Sequence, residues 1–190
     1  MTMTSGKIDA RSMPDSTDRV VSAFPHRTQR AVTLGARPDE VFAFLDIHDN
    51  IAGHMDRPSW AMLGGTMTAK ADSLAGKQVG SLITIRGQVL GMTMSLAEQI
   101  VQRVPPRSKY WETIGTPRLL IIGGYRMGFD LEPLGDGTRA VVFIEYSLPS
   151  APPLSWLGRL LGPAYARWCV KRVIETAASA FPAVASPHAG

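Results

Sequence analysis

From Met1 to about Pro25 the apolar and polar positions follow no period, which predicts a mobile tail. His26 to Leu34 (HRTQRAVTL) then alternates well enough to predict a first strand. In the next stretch, GARPDEVFAFLDIHDN, Pro38 stands where a helix can begin. Asp39 and Glu40 suit the positive end of a helix dipole, and Val41, Phe42, Phe44 and Leu45 supply an apolar stripe. A short amphipathic helix follows from this, with a further helical turn or two over His48 to Met55.

Beyond Trp60 the period changes. Segments near 60–71, 79–88, 90–103, 108–115, 118–132 and 138–148 are rich in β-branched, aromatic and Met residues, and clusters of Gly, Pro or Asp separate them. Gly135-Asp136-Gly137 is the clearest hairpin signal. Short turns between consecutive strands predict an antiparallel meander, because parallel strands would need long crossovers. After the PSAPP stretch at 149–153, residues Leu157, Leu160, Leu161, Ala164, Trp168, Val173, Ala177 and Phe181 approximate a helical stripe. Pro163 interrupts it, which predicts a short helix, a break or kink, and a long helix from about Pro163 to Phe181. The expected fold class is α+β: a curved antiparallel sheet of six or seven strands wrapped on a long C-terminal helix, with two short helices after the first strand. The long helix is the only element large enough to cover the apolar face of such a sheet, and the space between them suits a ligand. The expected division is a tail at 1–25, one domain at 26–182 and a frayed C-terminus at 183–190.

Composition narrows the function. The chain has 190 residues, 45% of them hydrophobic, so one domain with a sizeable core is expected. The net charge of +4 is mild. The densest basic stretch, Arg159 to Arg172, fits the solvated side of a helix, so no nucleic-acid partner is expected. Cys169 is the single cysteine, which excludes an intramolecular disulfide and fits a reducing compartment. Met1 to Ser16 has no apolar core of a signal peptide, and no run is long enough to span a bilayer. A cytoplasmic protein without stable membrane insertion is expected.

Catalytic motifs are largely absent: no G-x-S-x-G elbow, P-loop, H-E-x-x-H or paired-cysteine zinc pattern occurs. His48 and His54 lie six apart, a spacing that does not stack two side chains on one helix face, so no metal site and no cofactor are expected. A histidine at a cavity mouth is the functional reading of His54. Six charges fall in strand segments: Arg86, Glu98, Glu112, Arg118, Arg126 and Glu145. Most of them must face solvent, because an inward charge is costly unless paired. Glu112 beside Trp111 and Glu145 beside Tyr146 are the catalytic candidates, as enclosed carboxylates, with Arg86 as counter-charge. Trp60, Met92, Trp111, Tyr125, Met127 and Trp168 complete the expected ligand-binding set with His54 and Arg86, since Met and aromatic residues suit an adaptable pocket.

Three stretches carry a family resemblance: VTLGARPDEVFAFLDIHDN, GYRMGFDLEPLGDGTRAVVFIEYSLP and WLGRLLGPAYARWCVKRVIETAA. With the order of elements over about residues 27–181, they make the chain resemble the START-like (SRPBCC) superfamily, closest to its polyketide cyclase/dehydrase and lipid-transport branch. The resemblance implies a helix-grip fold and a hydrophobic small-molecule partner such as a lipid, quinone or polyketide-like compound. It leaves three functions open: a binding or carrier module, a cyclase or dehydratase using general acid–base catalysis, and a protein-interaction module. A homodimer is also left open.

Overall fold

The computed structural model describes residues 23–52, 66–89 and 91–183. Most of the expected tail, the C-terminal stretch from residue 184 and the positions of His54 and Trp60 lie outside the described residues. Strand β1 (His26–Leu34) leads into helices α1 (Pro38–Leu45) and α2 (His48–Ala52). Six further strands follow: β2 (Thr66–Ala71), β3 (Leu82–Val89), β4 (Met92–Val104), β5 (Ser108–Arg118), β6 (Tyr125–Leu134) and β7 (Gly137–Tyr146). Helix α3 (Pro152–Ala180) closes the chain. The seven strands form one antiparallel sheet in the order β1-β7-β6-β5-β4-β3-β2.

Local chemistry accounts for the element ends. Glu40 reaches back to accept from the Arg37 backbone N–H at 3.0 Å, and Pro38 opens α1 with the φ it already prefers. The β6–β7 hairpin turns through Gly135 and Asp136, with Gly135 at φ +57°, a conformation that glycine adopts without steric cost. The expected strand at 118–132 is two things instead. Strand β5 runs on to Arg118, the chain leaves the sheet over residues 119–124, and β6 begins at Tyr125.

Helix α3 corrects two expectations. It is continuous through Pro163, with no break. Pro163 and Arg159, four residues before it, are both exposed, so the carbonyl that loses its helical donor lies on the water side of the helix. Of the expected stripe, Val173 and Ala177 are buried, Leu157, Leu161, Trp168 and Phe181 are half-buried, and Leu160 and Ala164 are exposed. Gly158, Gly162, Ala166, Val170, Val173 and Ala177 face inward, while Leu160 is 67% and Trp156 61% exposed. Small residues let the helix backbone come close to the sheet. A Cβ on Gly158 would meet Pro149 Cδ at 2.6 Å and the Ile121 carbonyl oxygen at 2.9 Å. The helix therefore presses on β1 and β7, and its C-terminal end is held there by the Gly35 N–H donating to the Phe181 carbonyl at 3.3 Å.

Where α1 meets the sheet, a buried ionic cluster stands in for apolar packing. Lys109 is 1% exposed and donates to the Asp46 carboxylate at 2.9 Å and to its carbonyl at 2.7 Å. Arg103 grips the same carboxylate with two hydrogen bonds, at 3.0 and 2.9 Å. Burial alone would raise the Asp46 pKa, but donation from Arg103 and Lys109 outweighs it and holds the carboxylate below its ordinary value.

Candidate ligand-binding cavity

The sheet bends away from α3 over β3 to β6, and a hollow remains between them. Among the described residues its floor is Met67, Ile85, Leu96, Trp111, Met127 and Ile144 on the strands, with Leu119 and Ile122 from the segment after β5. Its roof is Tyr165, Cys169 and Val173, one side chain per turn of α3, and His48 and Ile51 of α2 close an end. The enclosed space is about 60 Å³, and the whole hollow, counting the part open to solvent, is about 630 Å³. The smaller figure is space for about four waters or for a small ring system.

One carboxylate enters this apolar space. In β4 the inward positions are Met94, Leu96, Glu98 and Ile100, and Glu98 is 2% exposed. Tyr125, facing it from β6, donates its hydroxyl to Glu98 Oε1. Burial pushes the Glu98 pKa from 4.5 up to about 7, against the opposing effect of that hydrogen bond. His48 Nε2 lies 4.0 Å from Glu98 Oε2, too far for a hydrogen bond. Burial lowers His48 from 6.5 to about 4, helped by the positive Lys109 and opposed by Asp49. Each group therefore favours its uncharged form, and the pair is no salt bridge between about pH 4 and 7. Cys169 is half-buried beside Tyr165, and loss of solvation pushes its thiol up to about 12, so it stays protonated and is a poor nucleophile.

The expected site residues divide by strand face. Trp111, Tyr125 and Met127 point into the cavity and line it. Glu112 and Glu145, expected to point in, lie on the opposite face of the sheet. Glu112 receives two hydrogen bonds from Arg126, at 3.0 and 2.8 Å, and Glu145 pairs with Arg27. Their strand neighbours Trp111 and Tyr146 take the inward parity, so both carboxylates must face out. Arg86 is exposed opposite Thr68 on that outer face, and is no counter-charge to the cavity. Met92 is 46% exposed at the start of β4. Trp168 is half-buried, stacked on Tyr165 with ring centroids 5.8 Å apart, next to the roof instead of in it. Glu98, His48, Tyr165 and Cys169 were not in the expected binding set. The signal for Glu98 was present: it occupies the same parity as Met94, Leu96 and Ile100, an alternation that assigns it to the apolar face.

The fold has known counterparts. TTHA0849 from Thermus thermophilus superposes with a TM-score of 0.57 at 13% identity, over 81% of this chain and 95% of that one. The Zhui aromatase/cyclase from a Streptomyces species gives 0.54 at 13% identity, over 80% and 93%. This is the helix-grip fold. Ara h 8.0201 shares it, with a TM-score of 0.53 at 14% identity over 81% of this chain and 98% of that one. No protein-family model matches the sequence, and no curated protein matches it. The likeness is therefore one of fold. Among the described residues no helix is long and apolar enough to cross a membrane, and no group of three His, Cys, Asp or Glu side chains is placed to hold a metal ion.

Proposed function

We propose that residues 26–182 bind or carry a hydrophobic small molecule, of lipid, quinone or polyketide-like type, in the hollow beneath α3. The observation that supports this is an apolar cavity in the middle of the domain, under a helix that turns Tyr165, Cys169 and Val173 toward it. A chain selected only for stability would fill such a space, since a void forfeits packing. The reading invokes no metal and no cofactor, and the cytoplasm remains the proposed compartment.

An apolar fluorescent probe should bind with micromolar affinity, worth about 8 kcal/mol. Cys169→Phe pushes a ring into the cavity from the roof, and should abolish binding while circular dichroism shows an intact fold. Binding by Cys169→Phe as tight as by the natural chain would put the probe elsewhere and overturn the reading.

A second reading rests on Glu98. A carboxyl group that titrates near neutrality inside an apolar cavity, hydrogen-bonded to a tyrosine, suits a general acid or base acting on an enolisable ketone. One structural neighbour is an aromatase/cyclase, so cyclase or dehydratase-type chemistry is within the reach of this fold. If that chemistry occurs, Glu98→Gln should lower turnover of a polyketide-like ketone by about 10²–10⁴-fold with binding retained. Unchanged turnover in Glu98→Gln would remove this second reading and leave the carrier.

A further inference from the structure

Two buried atoms define what the cavity asks of its occupant. Among the described residues, His48 Nε2 and Glu98 Oε2 are the buried side-chain polar atoms without a hydrogen-bond partner. Both belong to residues more than nine-tenths buried, both residues line the same cavity, and the two atoms are 4.0 Å apart. A buried polar atom left unpaired loses its hydration with nothing in return, so this pair is a standing demand for a partner. Glu98 Oε1 is already occupied by Tyr125, and the hydrogen bond there fixes Oε2 toward the histidine.

One oxygen can meet both atoms. Two hydrogen bonds of about 2.8 Å from a single centre span a 4.0 Å gap. A hydroxyl has one donor and two acceptor lone pairs, so it serves the pair whichever of the two holds the proton. A carbonyl oxygen only accepts, and would need both atoms to be donors. A ligand carboxylate fares worst. Among the described lining residues there is no Lys or Arg, and the nearby Lys109 is committed to Asp46. A ligand carboxylate beside Glu98 would be buried without a counter-charge.

We infer that the cavity selects an uncharged apolar molecule carrying one hydroxyl, whose oxygen bridges Glu98 Oε2 and His48 Nε2. This rests on the cavity being the binding site, and it narrows the ligand from any hydrophobe to neutral alcohols, phenols or enols. Free fatty acids and other carboxylate-ended lipids are excluded as ligands of this site.

The test uses the full chain and three probes of one shape: naphthalene, 2-naphthol and 2-naphthoate, titrated calorimetrically at about pH 6. At that pH the naphthoate is ionised and the naphthol neutral. The expected order is naphthol tighter than naphthalene by roughly ten-fold, the reach of two neutral hydrogen bonds, and naphthoate weaker than either. In Glu98→Leu the naphthol advantage should disappear while naphthalene still binds; the comparison in the natural chain stands even if that variant fails to fold. Equal affinity for naphthalene and naphthol, or a preference for naphthoate, overturns the inference while leaving the cavity reading in place. Binding of none of the three overturns both.

Discussion

The two faces of the sheet treat the same side chain in opposite ways. On the outer face Glu145 and Glu112 sit in a cross-strand row, Arg27–Glu145–Arg126–Glu112, set by the registers of β1, β7, β6 and β5. Each carboxylate has a cation as its neighbour and water within reach. On the inner face Glu98 has a phenol, an imidazole and hydrocarbon around it. It is driven toward its neutral form, and one oxygen is left unpaired. A strand carboxylate is thus a surface group or a chemical one according to parity alone. The inner face has a further polar region at its α1 end, where Asp46 is matched by two cations, and the contrast between matched and unmatched burial can be measured.

The largest effect should come from that matched cluster. Asp46→Ala leaves Lys109 buried without its counter-charge and should cost about 3–5 kcal/mol in urea unfolding. A loss below about 1 kcal/mol would mean that Lys109 finds water in the folded state, and the distinction between the faces would weaken.

The next effect is one of pH. Glu98 is raised from 4.5 to about 7, so the folded chain holds its proton where the unfolded chain has released it. Its contribution falls as pH rises from about 4.5 to 7, by about 3 kcal/mol, and is level above that. His48 is lowered from 6.5 to about 4, so its contribution rises with pH over about 4 to 6.5, by a similar amount. The two slopes oppose each other in the shared window. Tyr125, Tyr165 and Cys169, which also face Glu98, are all raised and stay protonated there. In Glu98→Gln the histidine slope is unmasked, and stability relative to the natural chain should climb between about pH 4.5 and 7. His48→Gln should show the reverse trend. Parallel curves for variant and natural chain would show that Glu98 is solvated.

The smallest effects belong outside. Glu112→Gln and Glu145→Gln should each cost below about 1 kcal/mol and leave probe affinity unchanged, since both carboxylates lie on the far side of the sheet from the cavity. A change of several-fold in probe binding by either variant would show that the outer row is coupled to the cavity.

Much of the architecture was legible in the order of residues. Alternation marked most of the strands, Gly135 marked the hairpin, and Pro38 with Asp39 and Glu40 marked the start of α1. These signals are local, because each depends on backbone conformation or on which side of one element is apolar. Trp111 and Met127 could be placed near a cavity for the same reason. What local pattern could not supply was the side on which that pattern would be buried. Glu112 and Glu98 sit in similarly mixed strands, and only pairing with the partner strands decides that one faces Arg126 and the other Tyr125. The buried Gly158, Gly162 and Ala166 of α3 were missed because hydrophobicity points to Leu160 and Trp168, while close approach to Ile121, Tyr146 and Pro149 rewards glycine at 158 and 162. Sequence by itself determined which elements form and in what order. Tertiary structure decided which charge is deprived of water and which of two helix faces meets the sheet, because both depend on distances between segments far apart in the chain.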